Sequence, residues 1–160
     1  MIMIPFKDFV IGRLSMTDCH EEIAVLDNAH YVETETKYKS HTVKVNYPHF
    51  IACEKAGTLH CFGVRLAEST QLVAHLRVYV SPSAHDSSLV ATEDAYYIVP
   101  EYRGSGLARR LLQYSKKRLK ELGVDYFFMS SKHPVGGPNI GLFLETEDFK
   151  PITTVYMAAL

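Results

Sequence analysis

Arg103-Gly104-Ser105-Gly106-Leu107-Ala108 is the stretch of this 160-residue chain whose residue types and spacing most directly offer chemistry. The apolar run Tyr97-Ile98-Val99-Pro100 leads into it, and the basic, leucine-rich run Leu107-Ala-Arg-Arg-Leu-Leu leads out. A strand entering a glycine turn that opens a helix makes an anion site. The first amides of a helix lack internal acceptors, carry partial positive charge, and are reachable where no side chain intervenes. The expected ligand group is a phosphate. A Walker loop would need Gly-Lys-Ser/Thr, which is absent. A dinucleotide fingerprint would need a small residue where Arg109 stands.

The elements that must position this turn are legible in part. Leu107 to Leu122 has leucines and Ser115 at helical spacing, with Arg109, Arg110, Lys116, Lys117 and Lys120 facing away, and Gly123 stops the helix. Ala91 to Val99 is the strand before the turn, ended by Pro100. Leu59 to Leu66 and Gln71 to Val80 are two further strands, joined through Ala67-Glu-Ser-Thr as an antiparallel hairpin. Ser81 to Ser88 is a polar loop, and Val124 to Ser131 a strand. Upstream, Thr17-Asp18 caps a helix that fades near Asn28, Glu33 to Ser40 is a loop or short helix, and Pro48 breaks regular structure. Asn139 to Glu145 is a short helix, Gly136-Gly137-Pro138 the turn before it, and Ile152 to Leu160 a last strand. The expected fold class is α/β, with a mixed sheet that is antiparallel first and gains a parallel crossover in the second half. One domain covers 1–160.

The pattern Arg103-x-x-Gly106-x-Ala108, between that strand and that helix, resembles the phosphate loop of the GNAT N-acetyltransferases. The resemblance covers the chain from about Thr58 onward, and its general look is that of phage-encoded members. It implies acetyl-CoA as co-substrate, with Arg103, Gly104, Ser105, Gly106, Leu107 and Ala108 on the pyrophosphate. It also implies that Ile98 and Val99 lie along the pantetheine arm, that the strands ending at Val99 and starting at Val124 splay there, and that Asn139 opens the next helix beside that arm. A helix cap is an equal role for Asn139. The implied reaction is acetyl transfer to a primary amine by direct attack. That needs a base for the amine, a donor for the oxyanion and a proton for the leaving thiolate. The backbone N–H near Ile98 is the oxyanion donor. Counting in twos from Ile98 puts Tyr96, Asp94 and Thr92 on one face. Asp94 matches the family's usual base position and Glu93 is second, on the opposite face unless a bulge intervenes.

Leu144 stands where many members carry a tyrosine acid, and Asp148 where they carry glycine. Tyr156, Ser130 or water are the substitutes, and a non-catalytic acyl-CoA-binding or interaction protein is the alternative. Glu33 and Glu35 wall the expected acceptor site, and His85 could orient a substrate. His30, His41, His49 and His60 lack metal-ligand spacing, so no metal is expected. Cys19, Cys53 and Cys61 contain no Cys-x-x-Cys pair and read as free thiols in a reducing cytoplasm. The N-terminus is too quickly charged for a signal peptide, and no apolar run is long enough for a membrane span. A net charge of −1 makes nucleic acid an unexpected partner. The acceptor is a small-molecule or protein amine, and pairing with a second copy of the chain is left open.

Overall fold

The computed structural model describes residues 8–36, 44–131 and 140–155. The expected hairpin is its centre. Strand β2 is Leu59–Leu66 and β3 is Leu72–Pro82, antiparallel, both buried along most of their length. β4, Leu89–Ile98, pairs antiparallel with β3. β5, Tyr126–Phe128, pairs parallel with β4, as the strand–helix–strand pattern requires. On the far side of β2 lies β1, Phe9–Leu14, which the amino-acid pattern did not suggest. Among the described residues the sheet therefore has five strands, in the order β1-β2-β3-β4-β5.

Helix α1 runs from Met16 to Thr34, longer than its apolar spacing implied. Its cap is Ser15, not Thr17-Asp18, and the Ser15 side chain accepts from the amide of Asp18. Helix α2 is Tyr47–Lys55, and Pro48 starts it instead of breaking it. Proline lacks only an N–H that the first helical turn does not use. Helix α3 is Leu107–Glu121, and Gly123 follows it at φ 83°. Leu107, Leu111, Leu112, Ser115 and Leu119 are buried and form its inner stripe.

These elements belong to one compact unit, Met1–Met129. The second unit is Ser130–Leu160, in which α4, Ile140–Thr146, buries Leu144. Residues 152–155 form no strand there. Asn139, Tyr156 and Gly136-Gly137-Pro138 lie outside the described residues.

Candidate active site

The glycine turn has the backbone that its sequence demands. A short 3-10 turn, Pro100–Tyr102, follows β4. Gly104 (φ 77°) and Gly106 (φ 82°) then both take the left-handed conformation, which glycine adopts without penalty. Gly106 caps α3, and a Cβ built on it would meet nothing within 4 Å. The first helical bond is the Arg110 amide to Gly106 O, at 3.3 Å. The amides of Gly106, Leu107 and Ala108, which precede it, thus have no helical acceptor. Ser105 Oγ donates to Tyr102 O at 2.7 Å and ties the turn from below. An anion would fit over exposed Gly104, Ser105 and Gly106.

The open edge of β4 begins just below. Pairing with β5 covers Val90 to Thr92 alone, so from Glu93 to Ile98 that side of β4 has no strand neighbour among the described residues. The Val99 amide donates to Val73 O at 3.0 Å, and Ile98 faces Ala74 across the pair. In an antiparallel ladder the neighbour of a hydrogen-bonded pair turns both its backbone groups outward. Ile98 therefore points its N–H and C=O away from β3, toward the open edge. Arg103 Nε donates to Ile98 O at 2.9 Å, and the N–H remains. Val99 offers less, because its carbonyl also accepts from the Tyr102 amide at 3.0 Å.

Counting in twos fails at Asp94, and the cause is a bulge. Arg77 pairs with Ala95 and Val78 with Glu93, which leaves Asp94 as the extra residue. Tyr96 sends its hydroxyl to Ala108 O at 2.8 Å, on the α3 side. Asp94 instead turns to Arg77 on the face covered by α1 and α2, with Nε donating to Oδ2 at 2.6 Å. Its side chain is 28% exposed. Glu93 is half-buried at the position opposite Val78.

The family model for the acetyltransferase (GNAT) family matches residues 22–144. The chain belongs to the GNAT acetyltransferase family. No curated protein sequence matches it. Many solved structures share the GNAT fold with it. An aminoglycoside acetyltransferase from an uncultured soil metagenomic sample superposes with TM-score 0.75 at 15% identity, over 97% of this chain and 98% of the other. Glucosamine-6-phosphate N-acetyltransferase from Arabidopsis thaliana gives 0.70 at 12% identity, over 95% and 97%. Ribosomal-protein-alanine N-acetyltransferase from Brucella melitensis gives 0.68 at 18% identity, over 96% and 99%.

Within this GNAT unit the acceptor-wall residues fall in different places. Glu33, in the last turn of α1, accepts both Nη groups of Arg103, at 2.8 and 2.7 Å. That hydrogen-bonded pairing raises the Arg103 pKa further. Tyr97 lies between the Arg103 guanidinium (5.4 Å) and the His30 ring (5.4 Å), and its burial, with Glu33 nearby, raises its own pKa. Glu35 caps the C-terminus of α1. His85 sits in the β3–β4 loop, beside a shallow hollow of about 480 Å³ that Thr92, Tyr126 and Phe128 also line. Ser130 and Leu144 belong to the second unit.

Sequence reasoning missed Arg77, Asp27 and Tyr47. Arg77 is buried, its Nη1 donates to Asp27 Oδ2 at 2.9 Å, and Tyr47 O–H donates to the same oxygen at 2.9 Å. The available signal was an arginine in mid-strand among Leu72-Val-Ala-His-Leu-Arg-Val-Tyr-Val. A buried charge must have a partner, so such an arginine implies carboxylates near it.

Proposed function

We propose that this GNAT protein moves an acetyl group from acetyl-CoA to a primary amine, by direct attack in a ternary complex, with the whole chain acting as one catalytic domain. The observation that carries the proposal is the succession of three features along β4 and the turn into α3. They are the open glycine turn at the start of α3, the outward N–H of Ile98, and the carboxylate that the bulge brings to the surface at Asp94.

The residues divide the work by their geometry. The backbone of Arg103 to Ala108 holds the pyrophosphate, and the side chain of Arg103 anchors the turn to α1 and β4. Ile98 and Val99 line the pantetheine arm, with Asn139 assigned to it by resemblance. The thioester supplies the acyl group. The Ile98 N–H donates to the carbonyl oxygen as negative charge builds there. Asp94 takes the proton of the attacking amine, with Glu93 as the second candidate, while the C–S bond breaks and the thiolate leaves. Glu33, Glu35 and His85 border the acceptor, a small-molecule or protein amine. Cys19, Cys53 and Cys61 are free thiols, which suits a cytoplasmic location, and among the described residues no helix is long and apolar enough to cross a membrane.

A second proposal, acyl-CoA binding without turnover, is favoured by one observation. Leu144 replaces the usual tyrosine acid and is buried at 5% exposure. Two measurements decide. A thiol-release assay with acetyl-CoA and a panel of amines should show amine-dependent release. Calorimetry should show CoA binding, weakened about tenfold or more in Gly106→Asp, which places a like charge over the turn. Binding without release selects the second proposal. A folded Gly106→Asp with wild-type CoA affinity would sink the phosphate assignment.

A further inference from the structure

Arg77 stands in the middle of β3 with a side chain 5% exposed. A guanidinium taken that far out of water is tenable only with close counter-charges and filled donors. Both are present. Nη1 donates to Asp27 Oδ2 at 2.9 Å, Nε donates to Asp94 Oδ2 at 2.6 Å, and the Phe50 ring centroid lies 4.0 Å from the guanidinium carbon. Asp27 is equally buried and is fixed in turn by the Tyr47 hydroxyl, with His75 Nε2 at 3.4 Å. The contacts run from α1 and α2 through β3 to the bulge in β4. They hold one oxygen of Asp94, while Oδ1 takes no donor among the described residues.

Two details separate this arrangement from an ordinary buried ion pair. The carboxylate that Arg77 grips belongs to the one residue of β4 that the bulge leaves without a partner on β3. And one guanidinium serves two carboxylates, so its charge is divided between a buried anion and a partly exposed one. We propose that Arg77, backed by Asp27, is a positioning residue for acetyl transfer: it fixes Asp94 in the bulge with one oxygen bound and the other turned to the amine, and Asp27 sets how much of the Arg77 charge Asp94 feels. The proposal rests on Asp94 being the base.

The charged and ionisable groups around Asp94 are Arg77 and Tyr79 from β3, Asp27 from α1, and Tyr47, His49 and Cys53 from α2, with Glu93 beside it in β4 and His75 behind Asp27. Burial, and then the charge of Asp94, raise the Tyr79 pKa. Asp27 is the negative group that shares Arg77 with Asp94.

The test is the pH profile of kcat in wild type, Asp27→Asn and Arg77→Lys, with acetyl-CoA and an amine that wild type turns over. Asp27→Asn keeps the shape and an acceptor for Tyr47, but leaves the Arg77 charge undivided on Asp94. Its acidic limb should move down by about one pH unit, since an opposite charge favours the carboxylate, with KM for acetyl-CoA unchanged. Arg77→Lys cannot span both carboxylates and should lower kcat by about 10- to 100-fold, again with KM for acetyl-CoA unchanged. An acidic limb that stays in place in folded, active Asp27→Asn overturns the inference, and decides it alone if Arg77→Lys does not fold. Wild type that releases no thiol with any amine overturns acetyl transfer itself, and the positioning role with it. Active wild type with an unmoved limb overturns the positioning role only.

Discussion

The two faces of the sheet are built on different terms. Toward α3 the contact is apolar: Leu107, Leu111, Leu112 and Leu119 are at most 2% exposed, and Phe62 meets the Tyr114 ring edge-on from β2. Toward α1 and α2 an apolar cluster of Leu14, Met16, Ile23, Leu26, Leu59, Cys61 and Tyr97 surrounds Asp27, His75 and Arg77, which are as deeply buried. Burying one leucine side chain contributes about 1.5–3 kcal/mol. Taking one ion out of water costs several kcal/mol before its partners repay it. The α3 face is thus sufficient to hold a helix and aim its first amides. The other face retains charges that stability alone does not require, and the bulge at Asp94 lies on that face. The all-apolar contact and the buried charges are separated by the thickness of one sheet.

The largest effect that tests this separation is on turnover. Asp94→Asn should keep fold and acetyl-CoA affinity while lowering kcat by about 10²- to 10⁴-fold, with loss of the acidic limb of the pH–rate profile. Steady-state kinetics and a CoA titration on the same preparation measure both halves. Turnover near wild type would move the chemistry off this face. Next comes the opposite side. Leu111→Ala should cost about 2–5 kcal/mol of stability by urea unfolding, yet leave kcat per folded molecule unchanged. A comparable fall in kcat would show that α3 is not mere scaffold.

A third effect is on the pH dependence of stability. Burial above all holds His75 down to about 3, with Arg77 and His30 adding and Asp27 opposing. In the unfolded chain a histidine titrates near about 6.5. Its folded-state pKa is depressed, so its contribution is intact above about pH 6.5. That contribution is lost progressively as pH falls toward about 3, because only the unfolded chain binds the proton. The slope is at most about 1.4 kcal/mol per pH unit. His75→Leu should flatten it, as read from urea midpoints between about pH 4 and 7, with a remainder from His60, which burial also lowers. An identical slope in both proteins would assign the acid sensitivity to other groups. The smallest effect is at Glu93. Glu93→Gln should leave kcat within about twofold and stability within about 0.5 kcal/mol. If it abolished turnover while Asp94→Asn did not, the base would be Glu93.

What could be read from the sequence was local. The β2–β3 hairpin, the α3 stripe and the stop at Gly123 each depend on neighbours within a few residues, and all three stand as expected. β1 was missed because Phe-Val-Ile-Gly-Arg-Leu contains Gly12 and no alternation, and it becomes a strand by pairing with β2, about fifty residues away. Helix α1 outran its apolar pattern because its last turn is held by tertiary contacts, Glu33 to Arg103 among them. The bulge could not be counted from β4 alone. It places Asp94 against Arg77, on another strand, and Arg77 in turn depends on Asp27, on a helix. Alternation describes a strand on its own, whereas charge pairing is settled between elements.

The grip of Arg103 on Ile98 O also bears on how the molecule meets other chains. A strand edge without a neighbour is a template for any extended peptide, including another copy of itself, and among the described residues no strand pairs with β4 on its β5 side beyond Thr92. A docking peptide would need a row of donors and acceptors to zip along it. By occupying the carbonyl of Ile98 while sparing the amide, Arg103 turns one rung of that ladder into a single hook. A thin ligand arm with one acceptor can use a hook, but a β-strand cannot. The same side chain that anchors the glycine turn thereby makes this edge a poorer seat for another strand.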